Sequence, residues 1–294
     1  MDDITITDVR AVPGDSAFLI HNEKCAILYD SGFAFSGVAV LDNIKQVLGD
    51  RLLDFILLTH SHYDHVLGVP NLLEAYPNVK VVASAYAAHI FTRASAKQTM
   101  RELNKKAAQH LGLPPKDHLI EKLRVDIPVK DGDIIDCADL RFRVIALPGH
   151  TKCSVGYYLE ENNLLLGVET LGVYFGNNTY LPSSLVGYQM TLDSFHKVKQ
   201  LNIEKILLPH YGVVEKEDAK NALAQSEAVA HDVRQQIITM FQNGKTNAEM
   251  LAYFTERDYK ENVRPTYPID AFLLNTEIMI ELVKREYLEE RKNR

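Results

Sequence analysis

Four side chains that can bind metal ions fall within six residues of this sequence, in the order His-Ser-His-Tyr-Asp-His that begins at His60. The apolar run at residues 54–58 precedes them and is typical of a short buried strand, so we expect the cluster at that strand's end. From there His60 and His62 can converge on one ion, while Asp64 and His65 turn towards a second. Imidazole and carboxylate groups suit zinc, iron or manganese. The stretch therefore predicts a transition-metal site, with a histidine-rich polar loop as the alternative.

Two later histidines repeat the arrangement of an apolar run, a tight turn and a histidine. His150 stands in Pro-Gly-His-Thr after the strand-like residues 140–146, and His210 follows the short run Ile206-Leu207. A single histidine in such a place is more often structural. Two of them at strand ends, however, bring distant loops to one edge of a sheet. We therefore predict that His150 and His210 lie beside the first cluster.

Together these residues resemble, in order and spacing, the metallo-β-lactamase-fold hydrolase superfamily over roughly residues 5–215. The turn Asp30-Ser31-Gly32, after the strand-like residues 26–29, is similar to an early Asp-x-Gly turn of that family. The resemblance implies an α/β (α+β) fold, a four-layer αββα sandwich with a metal pair at one edge. It implies two divalent transition-metal ions, zinc foremost and iron or manganese as alternatives. The implied ligands are His60, His62 and His150 at the first site and Asp64, His65 and His210 at the second.

One position departs from the family pattern. The family usually has an Asp that bridges both ions, preceded by Gly after a strand, whereas this chain has Glu169 preceded by Val168. We predict that Glu169 is a ligand, because a carboxylate is retained where two cations would otherwise share mostly neutral imidazoles. The alternatives are that Glu169 binds only the second ion, or that it is an acid beside an altered site.

Length and composition fit one large domain with an appendage, since the chain has 294 residues of which 46% are hydrophobic. We predict a catalytic domain over residues 1–215, with a helical insertion at about 94–122, and a helical region over residues 216–294 packed on it. In the tail, Asn243-Gly244 predicts a helix stop, and Thr246 with Glu249 predicts a capping box. Strands are expected at residues 4–12, 17–20, 25–29 and 79–83, and helices at residues 39–48, 66–76 and 271–290.

The helical tail resembles that of family members that cleave thioesters, esters and lactones, where added helices shape the substrate channel. The tail could equally form a homodimer interface or a cover for the sandwich. The sequence leaves these three uses open.

Charge and composition exclude some partners. The net charge of −7 disfavours nucleic acid, because phosphate binding needs clustered Lys and Arg, and the basic residues here are interspersed with acids. The amino terminus lacks the features of a signal peptide, and no run approaches the ~18 apolar residues of a membrane span. Cys25, Cys137 and Cys153 are odd in number and far apart in sequence, which fits reduced thiols. We therefore expect a cytoplasmic protein with no membrane partner, in which Cys153 has a packing role.

The predicted chemistry is hydrolysis by a metal-bound hydroxide. Two ions would lower the pKa of a water between them to about 7 and polarise the oxygen that gains charge. Serine chemistry has no support, since no Gly-x-Ser-x-Gly turn occurs in the chain. We predict Asp64 and Tyr211 as the catalytic residues. Tyr211, next to His210, could donate a hydrogen bond to an oxyanion, with a role as a wall residue as the alternative.

The leading functional prediction is a dinuclear metal-dependent hydrolase of a small-molecule thioester, ester or lactone. A phosphodiesterase of the same fold is a second possibility, lowered by the acidic balance of the chain. A di-iron redox enzyme is a third, but such relatives usually have Glu where this chain has His62, and they carry a flavin-binding domain. A binding or regulatory protein on a degenerate metal site is the fourth, kept open by Glu169.

Overall fold

Two β-sheets face each other in the computed structural model, which describes residues 4–292. The outermost residues of the two predicted regions, 1–3 and 293–294, lie outside the described residues. The strands are β1 (Thr5–Asp8), β2 (Phe18–His21), β3 (Ala26–Tyr29), β4 (Phe55–Leu57), β5 (Lys80–Ser84), β6 (Ile127–Val129), β7 (Ile134–Cys137), β8 (Leu140–Ala146), β9 (Val155–Leu159), β10 (Leu164–Leu166), β11 (Val173–Tyr174), β12 (Tyr180–Leu181), β13 (Lys205–Leu208) and β14 (Gly212–Glu215). The α-helices are α1 (Gly37–Leu48), α2 (Tyr63–Val66), α3 (Val69–Ala75), α4 (Ala85–Phe91), α5 (Ala94–His110), α6 (Tyr188–Val198), α7 (Lys216–Gln242), α8 (Asn247–Asp258) and α9 (Ile269–Lys292). Short 3₁₀ turns cover Ile120–Lys122, Glu160–Asn162 and Glu169–Leu171.

The first sheet has the strand order β1-β2-β3-β4-β5-β6. Its first three strands pair antiparallel, and β3, β4, β5 and β6 pair parallel. Parallel neighbours need a crossover connection, which α1 provides between β3 and β4 and α2 with α3 provides between β4 and β5. The carboxyl ends of β3, β4 and β5 therefore lie at one edge of the sheet.

The second sheet has the strand order β14-β13-β10-β9-β8-β7. β10 pairs parallel with β13 and antiparallel with β9, which in turn pairs antiparallel with β8. It follows that β8, β10 and β13 run in the same direction and also end at one edge. β11 and β12 form a separate antiparallel pair.

Alternating side chains divide the apolar core into layers on the two faces of each sheet. In β10, Leu164 and Leu166 pack between the sheets, whereas Leu165 packs with residues of α6 and α7. In β3, Ile27 packs between the sheets and Leu28 packs with α1 and α3. Successive residues of a strand point to opposite faces, so each sheet is covered on both sides. The predicted four-layer αββα sandwich is confirmed.

The single helix predicted at residues 66–76 is wrong, because the structure has two short helices, α2 and α3, separated by Leu67 and Gly68. A Cβ atom on Gly68 would collide with the carbonyl oxygen of Ser31, so only glycine allows the turn after β3 to approach this closely. Pro70 then starts α3, where its missing N–H has no helical partner to lose.

The predicted helical insertion is helical over α5, but residues 111–119 form a loop. Side chains of α5 secure the segments around it. The Lys97 ammonium lies 3.0 Å from the Glu121 carboxylate, and the Asn104 amide donates to the carbonyl oxygen of Pro115 at 2.8 Å. The buried Asn104 also accepts from the backbone N–H of Ala34. These contacts hold α5 beside the loop that follows β3.

The tail consists of α7, α8 and α9, with no further strand in the described residues after β14. α7 covers the second sheet through Ala219 and Leu223. α8 begins with the predicted capping box, in which Thr246 and Glu249 each bind the other's backbone N–H through their side chains. The three helices share an apolar core of Val233, Ile237, Ile238, Met250, Phe254, Met279, Ile280 and Val283. Among residues 4–292, no helix has the length and apolar character that crossing a membrane requires.

The prediction that the cysteines are reduced is wrong for two of the three. Cys25, directly before β3, and Cys137, at the end of β7, form a disulfide with Cα atoms 5.9 Å apart. They are 112 residues apart in sequence, but the two facing sheets bring them together. Cys153 is free and buried, in the packing position that the sequence predicts.

Candidate metal centre

The predicted ligands lie in the segments that follow strands at the shared edge of the sandwich, with Asp64 and His65 on the short helix α2. His60 follows β4, His150 follows β8 and Glu169 follows β10. His210 follows β13, with a left-handed backbone φ of 65° in the tight turn before β14. All seven predicted residues come together there, in two groups that share Glu169. In each group, the potential ligand atoms lie within 4.8 Å of one another.

The first group contains His60, His62, His150 and Glu169. Oε2 of Glu169 lies 2.7 Å from Nε2 of His150 and 3.1 Å from Nε2 of His60. Nδ1 of His62 lies 3.0 Å from Nε2 of His150. Three imidazole nitrogens and one carboxylate oxygen therefore face a common point, as a tetrahedral zinc site requires.

The second group contains Asp64, His65, His210 and again Glu169. Oε1 of Glu169 lies 3.0 Å from Nε2 of His210. Oδ2 of Asp64 lies 3.7 Å from Nε2 of His65 and 3.8 Å from Nε2 of His210. The longer Glu side chain thus reaches both groups, with one oxygen directed to each.

Three buried atoms at the centre of the cluster test whether the residues fit metal ions. Nε2 of His60 and Nε2 of His65 lie 3.1 Å and 3.6 Å from Oε2 of Glu169, but none of these three atoms makes a hydrogen bond of acceptable geometry. A buried polar atom without a partner is costly, and in native proteins such atoms are rare unless they bind a ligand. All three are nitrogen or oxygen donors of the kind that zinc, iron and manganese accept. The residues present therefore fit two transition-metal ions.

In four histidines of the cluster, Nε2 faces the other predicted ligands, and the second ring nitrogen, Nδ1, is held by a hydrogen bond. Nδ1 of His60 lies 2.9 Å from the Thr59 hydroxyl, and Nδ1 of His150 lies 2.8 Å from the Ser183 hydroxyl. Nδ1 of His210 lies 3.2 Å from the backbone oxygen of Asp15, and Nδ1 of His65 is paired with Asp30. Partners of this kind fix the tautomer and the orientation of a metal-binding imidazole.

Asp30, from the predicted Asp-x-Gly turn, is a fully buried support of this cluster. Its Oδ2 lies 2.7 Å from Nδ1 of His65 and accepts from the Ser16 hydroxyl at 2.9 Å. Its Oδ1 accepts from both the backbone N–H and the hydroxyl of Thr59. One carboxylate therefore orients His65 directly and His60 through Thr59.

Burial and neighbouring charges set the protonation states within the cluster. Burial lowers the pKa of His60 to about 3, and the neighbouring His65 acts in the same direction. Burial also holds the pKa of His62 well below its usual value. Burial opposes ionisation of Glu169, but the facing imidazoles, His150 above all, hold its pKa well below the usual range. Neutral His60 and His62 and an ionised Glu169 are the forms that bind metals. Burial opposes protonation of His65, but the carboxylates of Asp30 and Asp64 outweigh burial and hold the pKa of His65 well above its usual value, so a metal ion would displace a proton there.

The cluster forms the floor of a cavity of about 390 Å³. Part of its wall comes from α5, with Met100 and Leu103, and part comes from the tail, with Leu274 and Ile278 of α9. The tail therefore lines the cavity, which was one of the three uses that the sequence left open.

The structure places Tyr211, the predicted oxyanion donor, outside the residues that line this cavity. Its side chain is 39% exposed and its ring packs against Tyr174, with centroids 4.4 Å apart. Tyr63 and Tyr267 line the cavity instead. Tyr63 lies within the first motif and could have been found from it. No sequence signal marks Tyr267, which stands in the turn before α9, far from any motif.

A sequence profile of the metallo-beta-lactamase superfamily matches residues 12–210 of this chain. The match covers more than half of the chain and includes every residue of the two ligand groups. The chain therefore belongs to the metallo-beta-lactamase superfamily.

Individual relatives are more distant. A hydroxyacylglutathione hydrolase of Aliivibrio fischeri is 30% identical over 159 residues, which are 54% of this chain and 48% of that protein. The chain thus spans about half the length of the hydroxyacylglutathione hydrolases that it matches. The metallo-beta-lactamase fold-containing protein ST1585 of Sulfurisphaera tokodaii is 25% identical over 222 residues, which are 72% of this chain and 80% of that protein.

Solved structures agree on the fold. The crystal structure of ST1585 superposes with a TM-score of 0.59 at 20% identity, covering 95% of this chain and 98% of that one. A metallo-beta-lactamase family protein of Thermus thermophilus, TTHA1429, gives a TM-score of 0.62 at 19% identity, covering 94% and 88%. Both matches extend into the helical tail, since they cover far more than residues 12–210.

Proposed function

We propose that this protein is a metal-dependent hydrolase of a small-molecule thioester, ester or lactone. The observation that carries the proposal is the pair of ligand groups that share Glu169 at the floor of a cavity. Membership of the superfamily supports it, as does the similarity to hydroxyacylglutathione hydrolases, whose name describes cleavage of an acylated glutathione.

We propose two divalent ions, zinc foremost, as the cofactors. When bound, such ions supply an acidified water and a Lewis acid for the carbonyl oxygen of the substrate. Asp64 would have two roles, as a ligand and as an acceptor that orients water. The proposed holders of the first ion are His60, His62 and His150, those of the second are Asp64, His65 and His210, and Glu169 would contact both.

We propose Tyr267, in place of Tyr211, as the hydroxyl donor to the oxygen that gains charge. The hydroxyl oxygen of Tyr267 accepts a hydrogen bond from the Asn275 amide at 2.6 Å, so its own proton is free to be donated. Burial raises the pKa of Tyr267 well above its usual value, which keeps this proton in place at neutral pH. The ring is fixed by stacking on Phe175 and by a hydrogen bond from Tyr259 to its backbone oxygen.

The other predicted functions have less support. A phosphodiester carries a negative charge that lysine or arginine usually meets, and neither is among the described residues that line the cavity. The second motif position is His62, where the di-iron relatives usually have Glu. We retain residues 1–215 as the proposed catalytic domain and 216–294 as a helical region, with the addition that the latter supplies Tyr267.

Metal analysis combined with a substrate panel tests the proposal. We expect close to two transition-metal ions per chain, and hydrolysis of an acyl thioester, an ester or a lactone that a chelator abolishes and added zinc restores. Hydrolysis of bis-aryl phosphate alone would favour the phosphodiesterase. A protein with two bound ions and no hydrolysis on the whole panel would favour a binding function.

A further inference from the structure

The charge of the side chains around the cavity restricts what can bind above the ligand cluster. Among the described residues that line it, none is a lysine or an arginine. The ionisable side chains there are Tyr63, Tyr267 and members of the ligand cluster. A substrate with carboxylate or phosphate groups beyond its reacting carbonyl would therefore bury those groups without a counter-ion, which is strongly unfavourable.

The walls offer apolar surface instead. Met100 and Leu103 of α5 line the cavity together with Leu274 and Ile278 of α9, and Phe33 and Phe175 add aromatic surface. Leu274 is 43% exposed and Ile278 is 37% exposed, so the apolar surface continues to the mouth. Large apolar side chains that remain exposed around a cavity are typical of a ligand-binding surface.

The polar side chains of the walls are already engaged within the chain. The Thr99 hydroxyl donates to the backbone oxygen of Ser95, and the Thr266 hydroxyl donates to that of Val263. The Asn275 amide donates to Tyr267. Both hydroxyl protons and one amide proton are thus used within the chain, so these side chains offer a substrate mainly acceptor oxygens, which do not stabilise an anionic group.

A lysine does lie close to the cavity, but its surroundings do not favour an anion. Lys106 lines a smaller hollow of about 140 Å³ that shares Leu103 and Leu274 with the main cavity. The same hollow contains the acidic Asp270, which offsets the charge of Lys106.

We infer that the substrate is a neutral ester, thioester or lactone with an apolar acyl group, and not a glutathione thioester or another anionic conjugate. The inference rests on the proposed hydrolase function and specifies its substrate class. The acyl group would lie between α5 and α9, with the carbonyl at the ligand cluster. The alcohol or thiol that is released would carry no carboxylate or phosphate, which separates this chain from relatives named for hydroxyacylglutathione.

Matched thioesters test the leaving group and the acyl group separately. Butanoyl, hexanoyl and octanoyl thioesters are made on N-acetylcysteamine, which is neutral, and on glutathione, which carries two carboxylates. We expect kcat/KM on the neutral series to rise by about 4-fold for each methylene that the walls bury. For the same acyl group, we expect the neutral thioester to be preferred by at least about 10-fold. A preference for the glutathione series, or no dependence on chain length, would overturn the inference.

Two leucines of α9 with equal exposure provide a matched pair of variants. Leu274 lines the cavity and is 43% exposed, whereas Leu288 lies outside the lining and is 44% exposed. Leu274→Ala should lower kcat/KM for the octanoyl thioester by about 5-fold or more and leave the butanoyl thioester nearly unchanged. Leu288→Ala should change neither. Lys106→Met should not weaken turnover of the glutathione series; a clear loss there would show that Lys106 binds an anion and would contradict the inference.

Binding measurements separate this inference from the hydrolase proposal. S-alkyl thioethers of N-acetylcysteamine and of glutathione cannot be hydrolysed, and calorimetry on the zinc-loaded protein gives their dissociation constants. If no ester is cleaved but the longer neutral thioethers bind more tightly, the hydrolase proposal fails and the neutral apolar site stands. If esters are cleaved but the glutathione thioethers bind more tightly, the hydrolase proposal stands and the substrate class is wrong.

Discussion

The floor and the tail wall of the cavity are built in different ways. At the floor, four histidines have their outer ring nitrogens bound to a hydroxyl, a carboxylate or a backbone oxygen. Along the tail wall, Leu274 and Ile278 keep 43% and 37% of their surface exposed and make no polar contact. The hydrogen bonds at the floor therefore fix the orientation of the histidine rings, whereas the apolar side chains of the wall offer surface to a ligand.

The two regions should therefore respond differently to mutation. Ligand geometry and hydrogen bonds depend on direction, so the loss of one group at the floor affects metal binding or the reacting carbonyl. Apolar burial is non-directional and scales with area. The loss of one apolar wall residue should therefore change substrate preference only in proportion to the area that is removed. The predictions below proceed from the largest expected effect, the removal of a predicted ligand, to the smallest, the loss of a helix cap in the tail.

The largest effect should come from removing a ligand of either group. His60→Ala should lose the first ion and Asp64→Ala the second, because each change removes one predicted metal ligand from its group. Both variants should lose hydrolysis. Metal content per chain by plasma emission spectroscopy measures the change. His118→Ala, at an exposed histidine away from the cavity, is the control and should keep both ions. Wild-type protein without transition metal after growth in supplemented medium would count heavily against the site.

Tyr267→Phe should lower kcat by about 10²-fold, the usual cost of losing one donor to an oxyanion. Metal content and the KM of the substrate should change little, since only the hydroxyl is removed. Tyr211→Phe is the matched control, because Tyr211 lies next to a ligand but outside the cavity lining. If Tyr211→Phe were the more damaging of the two, the sequence-based choice of Tyr211 would be right and ours wrong.

Glu169→Ala should lower affinity for the second ion by about 10-fold or more, while Glu169→Asp should keep two ions with altered activity. The reason is that Glu169 directs one oxygen to each group. Zinc titration with a competing chelator resolves the two affinities. Unchanged affinity and activity in Glu169→Ala would remove this residue from the site.

The smallest effect should come from the capping box of α8. Thr246→Ala should lower the free energy of unfolding by about 1 kcal/mol, because the Thr246 hydroxyl accepts from the Glu249 N–H at 3.2 Å. Thr239→Ala, inside α7, should be neutral or slightly stabilising, since alanine is the better helix former there. Urea unfolding measures both, and neither should change metal content. A loss of bound metal in Thr246→Ala would show that the tail supports the floor as well as the wall.

Much of the floor was predictable because its signals are local. A short motif after an apolar run indicates a strand end, and the strand ends of a sandwich meet at one edge. For this reason His60, His150 and His210 could be placed together from sequence alone. The structure also brings Asp30 to the cluster, through the turn that the sequence marks as Asp-Ser-Gly.

Other features required contacts between distant parts of the chain. The break between α2 and α3 depends on the approach of Ser31 to Gly68, which periodicity within one segment does not reveal. The pairing of Cys25 with Cys137 depends on two sheets that face each other across 112 residues of sequence. Sequence reasoning was wrong at both places for the same reason, since it judged each residue by its neighbours along the chain.

The family, the sandwich and the grouping of the predicted ligand residues could be read from the sequence, because these follow from motifs whose residues are adjacent or stand at strand ends. The tertiary structure was needed to show that Tyr267, and not Tyr211, lines the cavity and that α9 forms part of the wall. It also decided that the wall lacks a cationic side chain among the described residues. The physical reason is that a cavity is formed by surfaces of separate elements, and their relative placement is set by packing between helices and sheets.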